Sequence, residues 1–254
     1  MTIDKLASVE EIVKSLRSPL VRLHYLFLSW ILPKFTDVNK YFQSSGVVIT
    51  EVHEKMRVLF QEILMAYLDP RYVQQKNFST IELRNERYFL RDEQIYLGTR
   101  VLSQMSKQEI SQNKNLLRDF YSSVREFLIT AASEIRDRYD FNNTFLTYMS
   151  IFSYKKSRDM NVHISFPSMV PVLSLVPRIK AFFNDQEIQA IDDEWRKLPL
   201  VELPDDVTSI KSTESFWAKL MDIQNEEEEF IFRTLTKFVF YLFSLPHANA
   251  DAER

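Results

Sequence analysis

Apolar residues recur every three to four positions in several long stretches of this chain. From Thr50 to Tyr67 they form one face of a helix, and charged and amide side chains fill the opposite face. The same spacing runs through Asn115–Tyr139 and through Leu20–Phe42. The pattern predicts three long amphipathic helices and a mainly α fold.

Prolines and polar caps predict where these helices begin and end. The helix that starts near Thr50 should stop at Asp69-Pro70, because proline disfavours the helical conformation of the residue before it. Pro33 should kink or divide the first helix, since it lacks the amide proton of the helix ladder. Asn184 and Asn225 are both followed by acidic residues, so each is expected to cap a new helix. Val162–Phe166 alternates apolar and polar residues, which predicts a short strand.

The segment Phe230–Leu245 is apolar nearly all round. Six aromatic residues occur within 14 positions, namely Phe230, Phe232, Phe238, Phe240, Tyr241 and Phe243. A helix that is apolar on every side must lie at the centre of a core or be covered by another chain. One stripe, with Phe230, Phe238 and Tyr241, is expected to pack inward. The other stripe, with Phe232, Leu235, Val239 and Leu242, is expected to face outward as an interface.

Composition removes several classes of chemistry. The 254 residues include no cysteine and only 2 glycines, which excludes thiolate zinc sites, cysteine nucleophiles and glycine-rich phosphate loops. His53 begins an HExxH pattern whose second histidine is missing, so we expect neither a metal site nor a cofactor. No apolar stretch approaches the ~20 residues that cross a bilayer, so no membrane association is expected.

A formal net charge of -3 argues against broad phosphate binding and leaves room for a local basic face. Lys155, Lys156 and Arg158 are the candidate DNA-binding residues, and Arg118 and Arg125 are further candidates for such a face. Binding to DNA through these residues should be weak and strongly dependent on salt.

Three local sequences resemble one known family. Leu245–Arg254 reads LPHANADAER and follows the aromatic segment, Phe216-Trp217 lies upstream of it, and Leu68–Tyr72 reads LDPRY. These sequences, with the apolar spacing of Leu28–Gln43, are similar to the hAT superfamily of transposases. The similarity is specific over residues 214–254 and looser over residues 20–150.

The resemblance implies an architecture and a set of interface residues. In hAT transposases a ribonuclease H-like core is interrupted by an all-α insertion, and a C-terminal segment completes the core and supports dimerisation. The chain would then contain an all-α insertion-like domain over 1–197, a linker over 198–213 and a truncated dimerisation segment over 214–254. The implied interface residues are Phe216, Trp217, Phe232, Leu235, Val239, Phe240, Leu242 and Phe243.

The resemblance also bears on activity. The family uses two aspartates and one glutamate; Glu253 matches the glutamate, and the region that should hold the aspartates would precede Met1. Two-metal DNA transfer needs converging carboxylates, so we expect no enzymatic activity from this chain. The expected role is protein–protein interaction, as a homodimer or with another transposase-derived protein, in the nucleus or cytoplasm. Two alternatives stay open: a DNA-binding remnant, and a fragment of an active transposase whose catalytic half is absent.

Overall fold

The computed structural model describes Val13 and residues 18–44 and 46–245. Within these ranges the protein is mainly helical, as predicted, and its only β features are two isolated bridges. Two compact units divide the chain. The first holds the described residues of Met1–Asn39 and Met56–Asn142, and the second holds those of Lys40–Lys55 and Asn143–Arg254. No described helix combines the length and apolar character needed to cross a membrane.

The described residues before residue 140 form six α-helices. They are α1 (Pro19–Phe42), α2 (Ile49–Tyr67), α3 (Pro70–Gln75), α4 (Thr99–Met105), α5 (Gln108–Ser111) and α6 (Lys114–Arg138), with short 3-10 helices at Phe78–Thr80, Glu86–Tyr88 and Asp92–Gln94. The three long helices match the predicted ones. Helix α1 continues through Pro33, so the chain is not divided there. Helix α2 ends before Asp69-Pro70 as expected, and Asp69 then caps α3 by accepting a 2.8 Å hydrogen bond from the amide of Arg71.

Aromatic rings form much of the core of the first unit. Phe60 is fully buried, and its ring centroid lies 4.6 Å from that of Phe141 and 5.3 Å from that of Phe78. Elsewhere in this unit, one of the two glycines is required by the close approach of Trp30. Gly98 has φ +85, and a Cβ atom there would lie 2.6 Å from Cγ of Trp30, so only glycine fits both the backbone and the ring.

The described residues of the second unit form eight further α-helices. They are α7 (Thr144–Met149), α8 (Met160–Ser165), α9 (Val170–Leu175), α10 (Pro177–Lys180), α11 (Asp185–Lys197), α12 (Asp205–Thr208), α13 (Thr213–Leu220) and α14 (Arg233–Phe243), with a 3-10 helix at Ser150–Phe152. Its core is organised around Phe152. The ring of Phe152 lies 5.8 Å from Trp195, 6.0 Å from Trp217 and 6.4 Å from Phe238.

Of the three local predictions in this unit, one is confirmed and two are wrong. Asn184 caps α11 and exchanges 3.0 Å hydrogen bonds with Glu187 in a capping box. Asn225 instead closes a tight turn, because its side-chain oxygen accepts the amides of Glu227 and Glu229. The predicted strand at 162–166 is helix α8, since Asp159 caps it by accepting the amide of Asn161. A strong local cap outweighs a weak alternation.

The segment 198–213, predicted as a linker, contains α12 and contributes buried side chains. Leu198, Leu203 and Val207 are at most 6 % exposed and belong to the core of the second unit. The family-based division into 1–197, 198–213 and 214–254 stays a prediction about domain ancestry.

Candidate functional site

The residues predicted to form an interface lie mainly in the core of the chain itself. Phe216, Trp217, Phe232, Leu235, Val239, Leu242 and Phe243 are all at most 7 % exposed. Phe240 is the exception, since it is partly buried at the edge of this core. Apart from Phe240, these side chains offer no exposed surface to a partner in this structure, which corrects the expectation that they face outward.

The stripe of α14 that was predicted to face outward is buried, because α11 fixes the start of this helix. The carboxylate of Glu194 accepts hydrogen bonds from the amides of Thr234 at 3.2 Å and Leu235 at 2.6 Å. Burial raises the pKa of Glu194, and these two amides oppose the rise. With its first turn held against α11, the helix directs Leu235, Val239 and Leu242 into the core.

The opposite side of α14 carries the accessible aromatic residues. Tyr241 is half-buried and stacks on Phe182 at a centroid distance of 5.2 Å, and Phe182 is 61 % exposed. Phe230, from the stripe predicted to pack inward, is 43 % exposed, whereas Phe238 of the same stripe is fully buried.

The basic cluster at 155–158 does not present three free charges. Lys155 pairs with Glu51 at 3.4 Å, and its ammonium lies 5.4 Å from the centroid of the Tyr154 ring. Arg158 donates to the carbonyl of Val201 at 3.0 Å, and Lys156 is half-buried. Two of the three side chains predicted to contact DNA are therefore already bonded to other parts of the chain.

Two further predictions concern acidic residues and metal. Glu253, the match to the family's glutamate, lies outside the described residues. Among the described residues, no group of three or more histidine and acidic side chains is placed to hold a metal ion. His53, which begins the incomplete HExxH pattern, is buried in α2.

An apolar cleft of about 260 Å³ opens on the surface of the second unit. It is lined by Met160, His163, Ile164, Pro167, Arg196, Pro199 and Leu200. Ile164 and Leu200 are each 71 % exposed and Met160 is 47 % exposed. Contiguous exposed apolar side chains of this kind are typical of protein-binding surfaces. The cleft could not be predicted from the sequence, because its two sides come from separate segments, α8 and the turn after α11.

His163 stacks on Trp195 beside this cleft, with ring centroids 4.0 Å apart. Its Nε2 lies 2.8 Å from the carbonyl oxygen of Ser157, and since a carbonyl can only accept, Nε2 carries the proton. Nδ1 is buried without a hydrogen-bond partner in the described part of the chain. Burial lowers the pKa of His163, although the Ser157 carbonyl and Asp159 oppose that effect.

A polar cleft of about 760 Å³ lies in the first unit. One wall is the face of α6 that carries Arg118 and Arg125, the two residues the sequence suggested for a basic face. The other wall brings Arg84 and Arg91, which no sequence motif marks. The spacing of seven between Arg118 and Arg125 places both on one helical face, and that signal was available from the sequence.

Comparisons with family models, curated proteins and solved structures give no match to this chain. The resemblance to hAT transposases therefore rests on the residues quoted from the sequence.

Proposed function

We propose that this chain is a non-catalytic protein, derived from a hAT-type transposase, that acts by binding another protein chain. The first partner we propose is a second copy of itself, in the nucleus or the cytoplasm. The resemblance at 68–72 and 214–254 supports this ancestry, with the described helices as remnants of an all-α insertion and a C-terminal dimerisation segment.

The observation that carries the proposal is the apolar cleft that His163 helps to line. Ile164 and Leu200 each leave 71 % of their surface in water. Burying a side chain of this type contributes about 1.5–3 kcal/mol, so the pair favours association. The proposed surface thus differs from the buried stripe of α14. The role it supports is still self-association, as the family resemblance implies.

Sedimentation velocity on a paired set of variants tests this proposal. Ile164→Glu with Leu200→Glu should shift the particle to monomer, because two carboxylates cannot be buried at an apolar contact without a large desolvation cost. Both side chains are mostly exposed, so helical content should be unchanged.

The matched control is Met221→Glu with Phe230→Glu. These side chains are 42 % and 43 % exposed in the same unit and lie outside the cleft. The control adds the same charge and should leave the association intact. If both double variants dissociate the particle equally, general charge repulsion explains the result and the cleft is not the interface.

A further inference from the structure

The polar cleft of the first unit contains four arginines held in two different ways. Arg125 donates through Nη2 to Asp92 at 2.7 Å and to the carbonyl of Leu90 at 2.9 Å. Arg84 binds Glu126 with both terminal nitrogens, at 2.7 and 3.1 Å. Arg125 is thus held while largely buried, and Arg84 is oriented by a bidentate pair whose side chains are 63 % and 59 % exposed.

The other two arginines are available. Arg91 is exposed and pairs with no carboxylate in the described ranges. Arg118 is 74 % exposed, and its only ion pair among the described residues is a 3.7 Å contact with the neighbouring Asp119. Exposed pairs of this length contribute little. Two of the three lining carboxylates, Asp92 and Glu126, are engaged by arginines, which leaves Glu86 as the unpaired acid.

One atom inside the cleft wall lacks a partner. Nε of Arg125 is buried and makes no hydrogen bond within the described residues. The Arg125 side chain is 22 % exposed, and its guanidinium lies 5.2 Å from the centroid of the Phe89 ring. A guanidinium desolvated to this degree interacts more strongly with an anion than one in open water.

We propose that this cleft binds a compact molecule that carries several phosphate groups. Arginine forks match phosphate oxygens in pairs, and several linked phosphates can engage both the fixed and the free guanidinium groups at once. The cleft volume of about 760 Å³ lies in the range of small-molecule sites.

A compact ligand suits this unit better than an extended nucleic-acid backbone. Residues 1–39 and 56–142 contain 18 lysines and arginines against 16 aspartates and glutamates. A nucleic-acid backbone that extended beyond the cleft would therefore lie on a unit with nearly equal numbers of positive and negative side chains. Nucleic-acid binding relies instead on many basic contacts along the backbone. This inference is independent of the proposed self-association, whose surface lies in the second unit.

Titration calorimetry of the full chain with inorganic tripolyphosphate tests the inference. We expect one binding site, with affinity reduced about tenfold or more by Arg91→Gln with Arg118→Gln. Both side chains are exposed, so the melting temperature should not change. The matched control is Arg71→Gln with Arg138→Gln, whose side chains are 90 % and 81 % exposed in the same unit and outside the cleft.

Three results would overturn the inference. The first is no heat of binding, and the second is an equal loss of affinity in the control variant, which would indicate general electrostatic attraction. The third is tighter binding of a single-stranded oligonucleotide, or of a phosphoserine peptide, than of tripolyphosphate through the same two arginines. None of these results would bear on the oligomeric state.

Discussion

At the scale of single residues, the surroundings of His163 disfavour its protonated form. Protonation would place a second N–H on Nδ1, a buried atom with no acceptor among the described residues. The ring is also stacked on Trp195, which keeps water away from it. The imidazolium form therefore costs more in the folded chain than in the unfolded one, which is the cause of the lowered pKa.

We predict that His163 makes the protein less stable as the solution is acidified. The folded-state pKa is lowered, so the unfolded chain binds more protons below the ordinary histidine pKa of about 6.5, and the free energy of unfolding falls as pH drops through that value. Urea unfolding at several pH values measures this slope. Subtracting the profile of the His163→Gln protein removes the contributions of the other titratable groups. One of them is Glu194, whose raised pKa makes the protein more stable as pH falls. Identical slopes in the two proteins would contradict the assignment.

Glu228 is strained in its backbone. It has φ +62, the left-handed region that favours glycine, and it lies among four consecutive glutamates in the turn closed by Asn225. Glu228→Gly should raise the free energy of unfolding by about 0.5–1 kcal/mol, because it relieves this strain and reduces the repulsion among the four glutamates. Glu226→Gly removes a charge without the strained conformation and should not stabilise the protein. Thermal melts that rank the two variants equally would refute the strain argument.

At the scale of elements, the start of α14 depends on a cap supplied from another helix. Phe232 stands at the N-cap position and provides no side-chain acceptor, and Glu194 of α11 supplies it instead. The carboxylate also lies at the positive end of the helix dipole. Glu194→Ala should lower the free energy of unfolding by about 1.5–3 kcal/mol, the usual contribution of hydrogen bonds to a charged group.

Asp193→Ala is the control for this cap. Asp193 is the neighbouring exposed acid and accepts one hydrogen bond, from Gln189, on the surface. Its loss should change stability by no more than about 0.5 kcal/mol. Denaturant unfolding monitored by circular dichroism compares the two. A Glu194→Ala protein as stable as the control would show that α14 needs no external cap.

The burial of α14 yields a second prediction at this scale. Phe232 is fully buried and Phe230, two residues earlier, is 43 % exposed. Phe232→Ala should cost about 3–5 kcal/mol because it leaves a core cavity. Phe230→Ala should cost about 0.5 kcal/mol. If chemical denaturation finds Phe230→Ala more costly than Phe232→Ala, the sequence-based assignment of the two stripes is right and the packing described above is wrong.

The elements that could be predicted are those whose signal is local. The amphipathic helices and the Asn184 capping box depend on residues within a few positions of each other, so periodicity and cap rules are sufficient. The start of α14 depends on Glu194, about forty residues away in sequence. The turn at Asn225 and the helix at 160–165 were both predicted wrongly, because side-chain hydrogen bonds to nearby amides decide these structures.

At the scale of the whole molecule, the candidate surfaces were harder to predict than the fold. A solvent-exposed apolar cleft needs residues from separate elements, as with Ile164 and Leu200, and periodicity does not show which elements meet. Conversely, the aromatic richness of 230–245 predicted burial correctly but did not distinguish burial in the chain's own core from burial by a partner. Arg118 and Arg125 were recognisable as one face, whereas Arg84 and Arg91 reach it only through the fold.

The proposed function requires this chain to associate with a second copy of itself through its exposed apolar cleft. Sedimentation equilibrium of the unmodified chain, over about 1 to 100 µM, tests it most directly, because mass action makes association depend on concentration. We expect a mass that rises with concentration toward twice the 30.3 kDa of one chain. A mass of one chain across the whole range would contradict it.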